Sequence, residues 1–453
     1  MTSRLLARLR SETGLALIRT FLAKGAAAFG ALGLVVVLGQ LYGPEGVGVY
    51  ALAHSILLGA GILSRRGMDN ALMRFVGRDF ESPAARQYLY WAGTRSLWLS
   101  FPLMLFVMLG RSMVGDFFDM PALADVLVGV GLAIPLFSWS FILAGFFKGI
   151  RKPATAALQE GGAISLVAGA LMLVLYLFGS GDPVPLSWFG WMYFLAVLFV
   201  AGKGQLTVMA WLHRRAGDNK LLTSEESTLD LPAFREASQS LFVMSLATFM
   251  QSVLSIMIAG KFLGSVELGL FKSAQQVGMS VAFVLIVINA IFPVRFAELY
   301  YQSEMAKLEG MARRSALLGL LLASPFIAIC LLAPGWILGL IGEGFGSAAP
   351  LLRIIAVAQL VNVATGSVAF MLNMTGHDKV MRNIALLCNG LGLMVFLLLT
   401  LWQGALGAAY GLAFVMVAQN LIALALVWIK LGIWTMPGPN LLAWLGVKSQ
   451  AVS

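Results

Sequence analysis

Five cationic side chains, Lys24, Arg95, Lys203, Lys272 and Arg353, fall within or at the edge of long apolar runs. A charge at membrane depth costs about 2.5 to 3.5 kcal/mol on insertion scales, so each should face a wet cavity or a partner rather than lipid. Carboxylates do not balance them: only Asp125, Glu160 and Glu267 come near the runs, each toward an end. The expected interior is net positive. The chemistry it offers is capture of an anion, with Arg and Lys holding its oxygens through charge-assisted hydrogen bonds. Other chemistries lack their residues. The histidines His54, His213 and His377 share no ligand spacing, and no zinc motif is present. Cys330 and Cys388 both fall inside apolar runs and read as buried thiols rather than a disulfide or metal pair. Lys203 follows a glycine, but Val197 stands where a phosphate-binding glycine loop would place its first glycine, so ATP hydrolysis on this chain is not expected. Neither a cofactor nor a metal is expected.

The elements that hold these cations follow from composition. Of 453 residues, 59% are hydrophobic and 11% charged, with a net charge of +10 and a mean hydropathy of +0.87. A soluble chain could not cover so much apolar surface with so few charges, whereas a membrane protein sets it against lipid. The apolar runs last about 20 residues instead of alternating over about 10, which excludes a β-barrel. The fold class is all-α polytopic membrane protein. After a basic start (Arg4, Arg8, Arg10), runs lie near 15–39, read as an uncleaved first span, then 47–63, 89–109, 126–146, 164–178 and 188–212. A polar segment near 213–236 precedes runs near 241–259, 268–293, 316–341, 351–371, 384–402 and 405–429. That makes about twelve transmembrane helices.

The chain repeats itself. Gly39 to Tyr50 (GQLYGPEGVGVY) aligns without gaps on Gly260 to Phe271 (GKFLGSVELGLF), an offset of 221 that also brings Arg74-Phe75 onto Arg295-Phe296. Ser100-Phe101-Pro102 is echoed by Ala323-Ser324-Pro325, and Gly149 to Lys152 by Gly376 to Lys379. Six helices therefore repeat as six, in the same orientation. If the N-terminus is cytoplasmic, inside segments hold twenty-four Lys and Arg against Arg111 and Lys261 outside, which favours cytoplasmic termini. Other features read as structural. Gly145/Gly149 and Gly407/Gly411 suit close helix packing. Pro102, Pro135, Pro325 and Pro334 suit kinks, and Trp188, Trp191, Trp211, Trp428, Trp434 and Trp444 suit interfacial anchors. The stretch around Glu225, Glu226 and Asp230 reads as a solvated linker.

Leu38 to Arg78, LGQLYGPEGVGVYALAHSILLGAGILSRRGMDNALMRFVGR, resembles the signature of polysaccharide-export (Wzx-like oligosaccharide) flippases in the multidrug/oligosaccharidyl-lipid/polysaccharide (MOP) superfamily. The layout of the whole chain is similar to theirs. The resemblance implies a duplicated, V-shaped fold of two six-helix lobes, here 1–212 and 237–434, joined by a cytoplasmic linker 213–236 and followed by a tail 435–453. It also implies a bacterial inner (cytoplasmic) membrane location. The implied substrate is an undecaprenyl-diphosphate-linked oligosaccharide, moved from the cytoplasmic to the periplasmic leaflet by alternating access through a central cavity, for O-antigen, lipopolysaccharide or exopolysaccharide biosynthesis. The implied partners are that glycan and membrane lipid, with a polysaccharide polymerase or chain-length protein as a further partner and no nucleic acid.

Lipid II flippases, more distant relatives, carry paired cations in the first span and another in the eighth. By helix, the counterparts here are Arg19 and Lys24, and Lys272. His54 is the polar residue nearest to the family's second-span arginine. Arg95, Lys203 and Arg353 complete the candidate substrate-binding set. Two rivals are weighed against this transporter reading. A MATE-like extruder of organic cations needs intramembrane acid, where this first span has Arg19 and Lys24. A polysaccharide polymerase or ligase needs a large periplasmic loop with catalytic residues, and the external loops here are short.

Overall fold

The computed structural model describes residues 12–78, 80, 82–179, 184–217 and 229–444. Arg4, Arg8 and Arg10 of the basic start, and Glu225 and Glu226 of the polar segment, lie outside them. Every regular element among the described residues is helical, as a bilayer requires of backbone that cannot be left unpaired. The chain divides into two compact units, Met1–Ser265 and Val266–Ser453.

Unit 1 contains α1 (Glu12–Arg65), α2 (Met68–Arg78), α3 (Pro83–Leu109), α4 (Arg111–Phe117), α5 (Pro121–Gly149), α6 (Pro153–Ala157), α7 (Gly161–Phe178), α8 (Ser187–Gly217), α9 (Leu231–Phe249) and the first half of α10 (Ser255–Met279). A π-helical turn, Met250–Leu254, joins α9 to α10. Unit 2 contains the second half of α10, then α11 (Ala282–Tyr301), α12 (Met305–Leu332), α13 (Pro334–Gly339), α14 (Ala349–Thr365), α15 (Val368–Met374), α16 (Asp378–Leu431) and α17 (Leu441–Trp444).

A helix of 54 residues such as α1 would run about 80 Å at 1.5 Å per residue, against about 30 Å of hydrocarbon. It is broken instead. Gly43 (φ 64°, ψ −164°) interrupts α1, Gly264 (φ 72°, ψ 172°) interrupts α10, and Gly404 (φ 59°, ψ −134°) interrupts α16. Positive φ with extended ψ is accessible in practice to glycine alone. Pro44 follows at once, with the fixed φ and missing N–H that suit the first turn of a new helix.

In unit 1, α5 is the central helix, packed against α1, α2, α3 and α8. About seven-tenths of its apolar window is buried, against a third for α7 and α8. Gly145 and Gly149 let α2 approach, since a Cβ at either would strike Asp69, Val76 or the Leu72 carbonyl. The segment from α9 to Ser265 is fastened at both ends. Phe234 sits in an aromatic box with Phe75, Tyr88 and Trp91, at centroid distances of 5.1 to 5.5 Å, and the Asp230 amide donates to Tyr88 Oη at 2.9 Å. At the other end, Lys261 Nζ donates to the Phe117 carbonyl at 2.6 Å and to Asp119 Oδ2 at 3.0 Å. Lys261, one of two cations expected outside, thus carries its own counterion.

In unit 2, the segment Phe345–Met374 plays the central part, more than half buried and packed on α12 and α16. Two expectations change here. Pro334 bends no span: it is the first residue of the short helix α13, where its missing N–H costs nothing. Trp434 is no interfacial anchor, being 2% exposed in a core with Phe296 and Val427. Arg313 draws that tail inward by donating to the Trp434 and Gly438 carbonyls at 3.2 and 3.0 Å.

Candidate anion-binding residues and relatives

α1 supplies Arg19 and Lys24, both exposed. Five residues of helix turn through about 140°, so the two leave the axis on different sides. Lys24 lies about 28 Å along the helix from the break at Gly43. Lys272, in α10, lies only about 12 Å beyond the matching break at Gly264. It is half-buried, and its ammonium donates to Gln275 Oε1 at 3.3 Å. That neutral partner leaves the positive charge uncompensated, and two N–H donors can still reach an incoming oxygen.

The remaining candidates have distinct surroundings. His54, in the second half of α1, is half-buried with Nδ1 2.9 Å from Tyr193 Oη. Tyr50 and Tyr193 rings stand 5.6 and 6.0 Å from it, and Phe189 closes the cluster. Its contacts join α1 to α8. Lys203 is exposed on α8. Arg353 is exposed on α14, with Nε donating at 3.1 Å to the carbonyl of Leu331, in the last turn of α12. A cation there satisfies an orphan carbonyl and meets the negative end of the helix dipole. Arg95, on α3, lies 5.6 Å from the Trp91 ring centroid and lines a cleft with two further arginines, Arg66 and Arg235. In the sequence those two read only as parts of basic segments.

Two other groups were not legible as sites. Arg65 closes α1 at 4% exposure, its guanidinium 4.1 Å from the Phe141 ring centroid and its Nε 3.6 Å from Asp69. The signal was the i,i+4 spacing of the pair. In unit 2 a neutral network runs from Gln359 through Asn362 and Thr365 to Asn420, with separations of 2.9 to 3.4 Å. Its signal was polar residues three apart in an apolar run.

Long, broken apolar helices make this a multi-pass membrane protein, and solved structures share its fold. A lipid II flippase MurJ in an inward closed conformation matches with a TM-score of 0.67 at 10% identity, over 90% of this chain and 86% of that one. An inward-facing multidrug resistance MATE transporter of the MOP superfamily matches with a TM-score of 0.62 at 13% identity, over 88% and 92%. The MATE multidrug transporter DinF-BH gives a TM-score of 0.58 at 16% identity, over 91% and 93%. These flippase and multidrug-transporter structures share the fold of this chain. Residues 17–299 match the family described as polysaccharide biosynthesis protein, and the chain belongs to that family. No curated protein matches its sequence.

Proposed function

We propose that this protein is a flippase carrying an undecaprenyl-diphosphate-linked oligosaccharide from the cytoplasmic to the periplasmic leaflet of the bacterial inner membrane, for cell-surface polysaccharide biosynthesis. The observation that carries the reading is Lys272: a half-buried intramembrane ammonium that donates to a neutral amide, in a chain of the polysaccharide biosynthesis family. Such a cation suits a diphosphate. Lys24 and Lys272 stand at different distances from matched helix breaks, so they act on a moving headgroup in succession, while Arg19 serves from another side of α1. Transport proceeds by alternating access of two six-helix lobes, 1–212 and 237–434, linked by 213–236 and followed by the tail 435–453. Counting each broken helix twice supports twelve crossings, and the excess of Lys and Arg in the connections on one side supports cytoplasmic termini. A negative-inside potential assists export of an anion by about 2.3 kcal/mol per charge per 100 mV.

Extrusion of an organic cation is the second reading, favoured by the shared fold of the multidrug transporters. It needs acid at membrane depth, whereas Asp125 and Glu160 stand at or near the starts of α5 and α7 and Glu267 three residues past a helix break. The test is flipping of an undecaprenyl-diphosphate oligosaccharide in reconstituted vesicles. Lys272→Ala and Lys24→Ala are each expected to lower the rate at least tenfold in folded protein. Full activity in both variants removes them from the site, and uptake of an organic cation without flipping hands the case to the second reading.

A further inference from the structure

Unit 1 carries a second cationic feature, built of residues other than Lys24. Where α1 ends, Arg66 (φ 46°) and Gly67 (φ 76°) turn the chain into α2. A Cβ on Gly67 would strike the Ser238 carbonyl and the Phe242 amide, so the turn lies directly on the backbone of α9. Between turn, α3 and α9 is a cleft of about 470 Å³, lined among others by Arg66, Trp91, Arg95, Trp98 and Arg235. All three arginines are exposed. Arg95 and Arg235 approach the same indole, 5.6 and 5.3 Å from the Trp91 ring centroid. The ring attracts both, yet two guanidiniums on one side chain repel each other. Among the described residues no carboxylate pairs with Arg66, Arg95 or Arg235. The cluster is complementary to an anion with several oxygens.

The cleft does not end there. Trp98, 78% exposed, also walls a neighbouring trough of about 770 Å³ on α3, formed with Leu97, Phe101, Pro102, Met104 and Leu105. From Thr94 to Leu105 the trough runs about 16 Å along the helix, about half of the hydrocarbon thickness and so the depth of one leaflet. Headgroup charge at one end and an apolar channel of leaflet depth at the other are the two halves of a lipid site.

We propose that this surface binds an anionic glycerophospholipid, its phosphate between Arg66, Arg95 and Arg235 and one acyl chain in the α3 trough. A zwitterionic lipid would set its ammonium against three guanidiniums. Free phosphate would leave the trough unused, and an undecaprenyl chain is far longer than the trough. The duplication does not supply a copy: at the offset of 221, Arg66-Gly67 fall on Val287-Ile288, inside the continuous helix α11. The site belongs to unit 1 and is independent of which substrate is flipped.

The test is native mass spectrometry of the full-length protein with phosphatidylglycerol and phosphatidylcholine of the same chains, read without any transport step. Wild type is expected to prefer phosphatidylglycerol by about fivefold or more, the preference that one juxtamembrane arginine confers. Arg95→Gln/Arg235→Gln should bring the ratio close to one, and Trp98→Ala should weaken both lipids. Arg66→Gln, which removes no stacked ring contact, should show the same loss of preference and decides the matter if the double variant is unstable. Arg314→Gln, an exposed arginine of unit 2, should change nothing. Equal binding of the two lipids by wild type overturns the proposal, as does a preference that survives the arginine variants. Displacement by inorganic phosphate alone would mark a free-phosphate site, and displacement by equimolar undecaprenyl diphosphate a carrier site; either overturns the assignment.

Discussion

The first hairpin, Gly39 to Phe75, and its echo, Gly260 to Phe296, share a glycine break and then part: the first turns at Arg66-Gly67, where the second runs on inside α11. Their turning points are matched glycines, Gly43 and Gly264, with φ of 64° and 72° and extended ψ in both. Tyr50 and Phe271 are both buried, and Phe75 and Phe296 both end in a core. Charges do not match. Lys24 corresponds to Ser245, Ala51 to Lys272, His54 to Gln275, and the pair Arg65–Asp69 to Ile286 and Ala290. The two copies thus share a glycine break and buried rings, while the second turn and the cations were placed separately in each. Function is to be sought where the copies disagree.

The disagreement at Arg65–Asp69 predicts the largest effect. Asp69→Ala leaves a 4%-exposed guanidinium against Phe141 without its carboxylate, and breaking a buried pair costs about 3 to 5 kcal/mol. Arg65→Ile/Asp69→Ala gives the first copy the residues of the second, and replacing both charges by apolar groups is expected to recover most of that loss. Melting of the purified protein in detergent reads both. A silent Asp69→Ala would show that the pair is not what holds Arg65.

Where the copies agree, the effects should agree as well. Gly43→Ala and Gly264→Ala each force a side chain into a region that costs about 1 to 3 kcal/mol, and neither glycine has an atom within 4 Å of its would-be Cβ. The strain is therefore the whole cost, and the two variants should lose the same stability. A much larger loss at one of them would mean that its turn carries a load that the other lacks.

The same division explains how much could be read from the sequence. Apolar runs, their glycine breaks and the echo at 221 residues are local patterns, so the helices, the matched breaks and the family were legible. Pro334 and Trp434 were misplaced because a residue near the end of an apolar run can start a helix, anchor at an interface or enter a core, and only tertiary packing decides. Arg66, Arg95 and Arg235 lie on three elements, and their convergence on one cleft depends on Gly67 seating a turn against α9. No spacing along the chain records that. The partner of Arg353 was equally hidden, because the Leu331 carbonyl is a backbone group that any sequence would offer.

His54 gives the smallest and most discriminating prediction. Its mate Gln275 holds Lys272, whereas His54 faces Tyr193 at 2.9 Å inside a cluster of rings. Tyr193→Phe removes that hydroxyl and should cost about 0.5 to 1.5 kcal/mol, the net worth of one hydrogen bond. His54→Gln, which copies the second hairpin, keeps an amide able to meet the same hydroxyl and should cost less. If His54 only joins α1 to α8, flipping by both variants stays near wild type, and any loss follows the melting temperature. If His54 touches the diphosphate, His54→Gln slows flipping at unchanged melting temperature while Tyr193→Phe does not, and the first hairpin then contributes a substrate contact at the position where the second contributes Gln275.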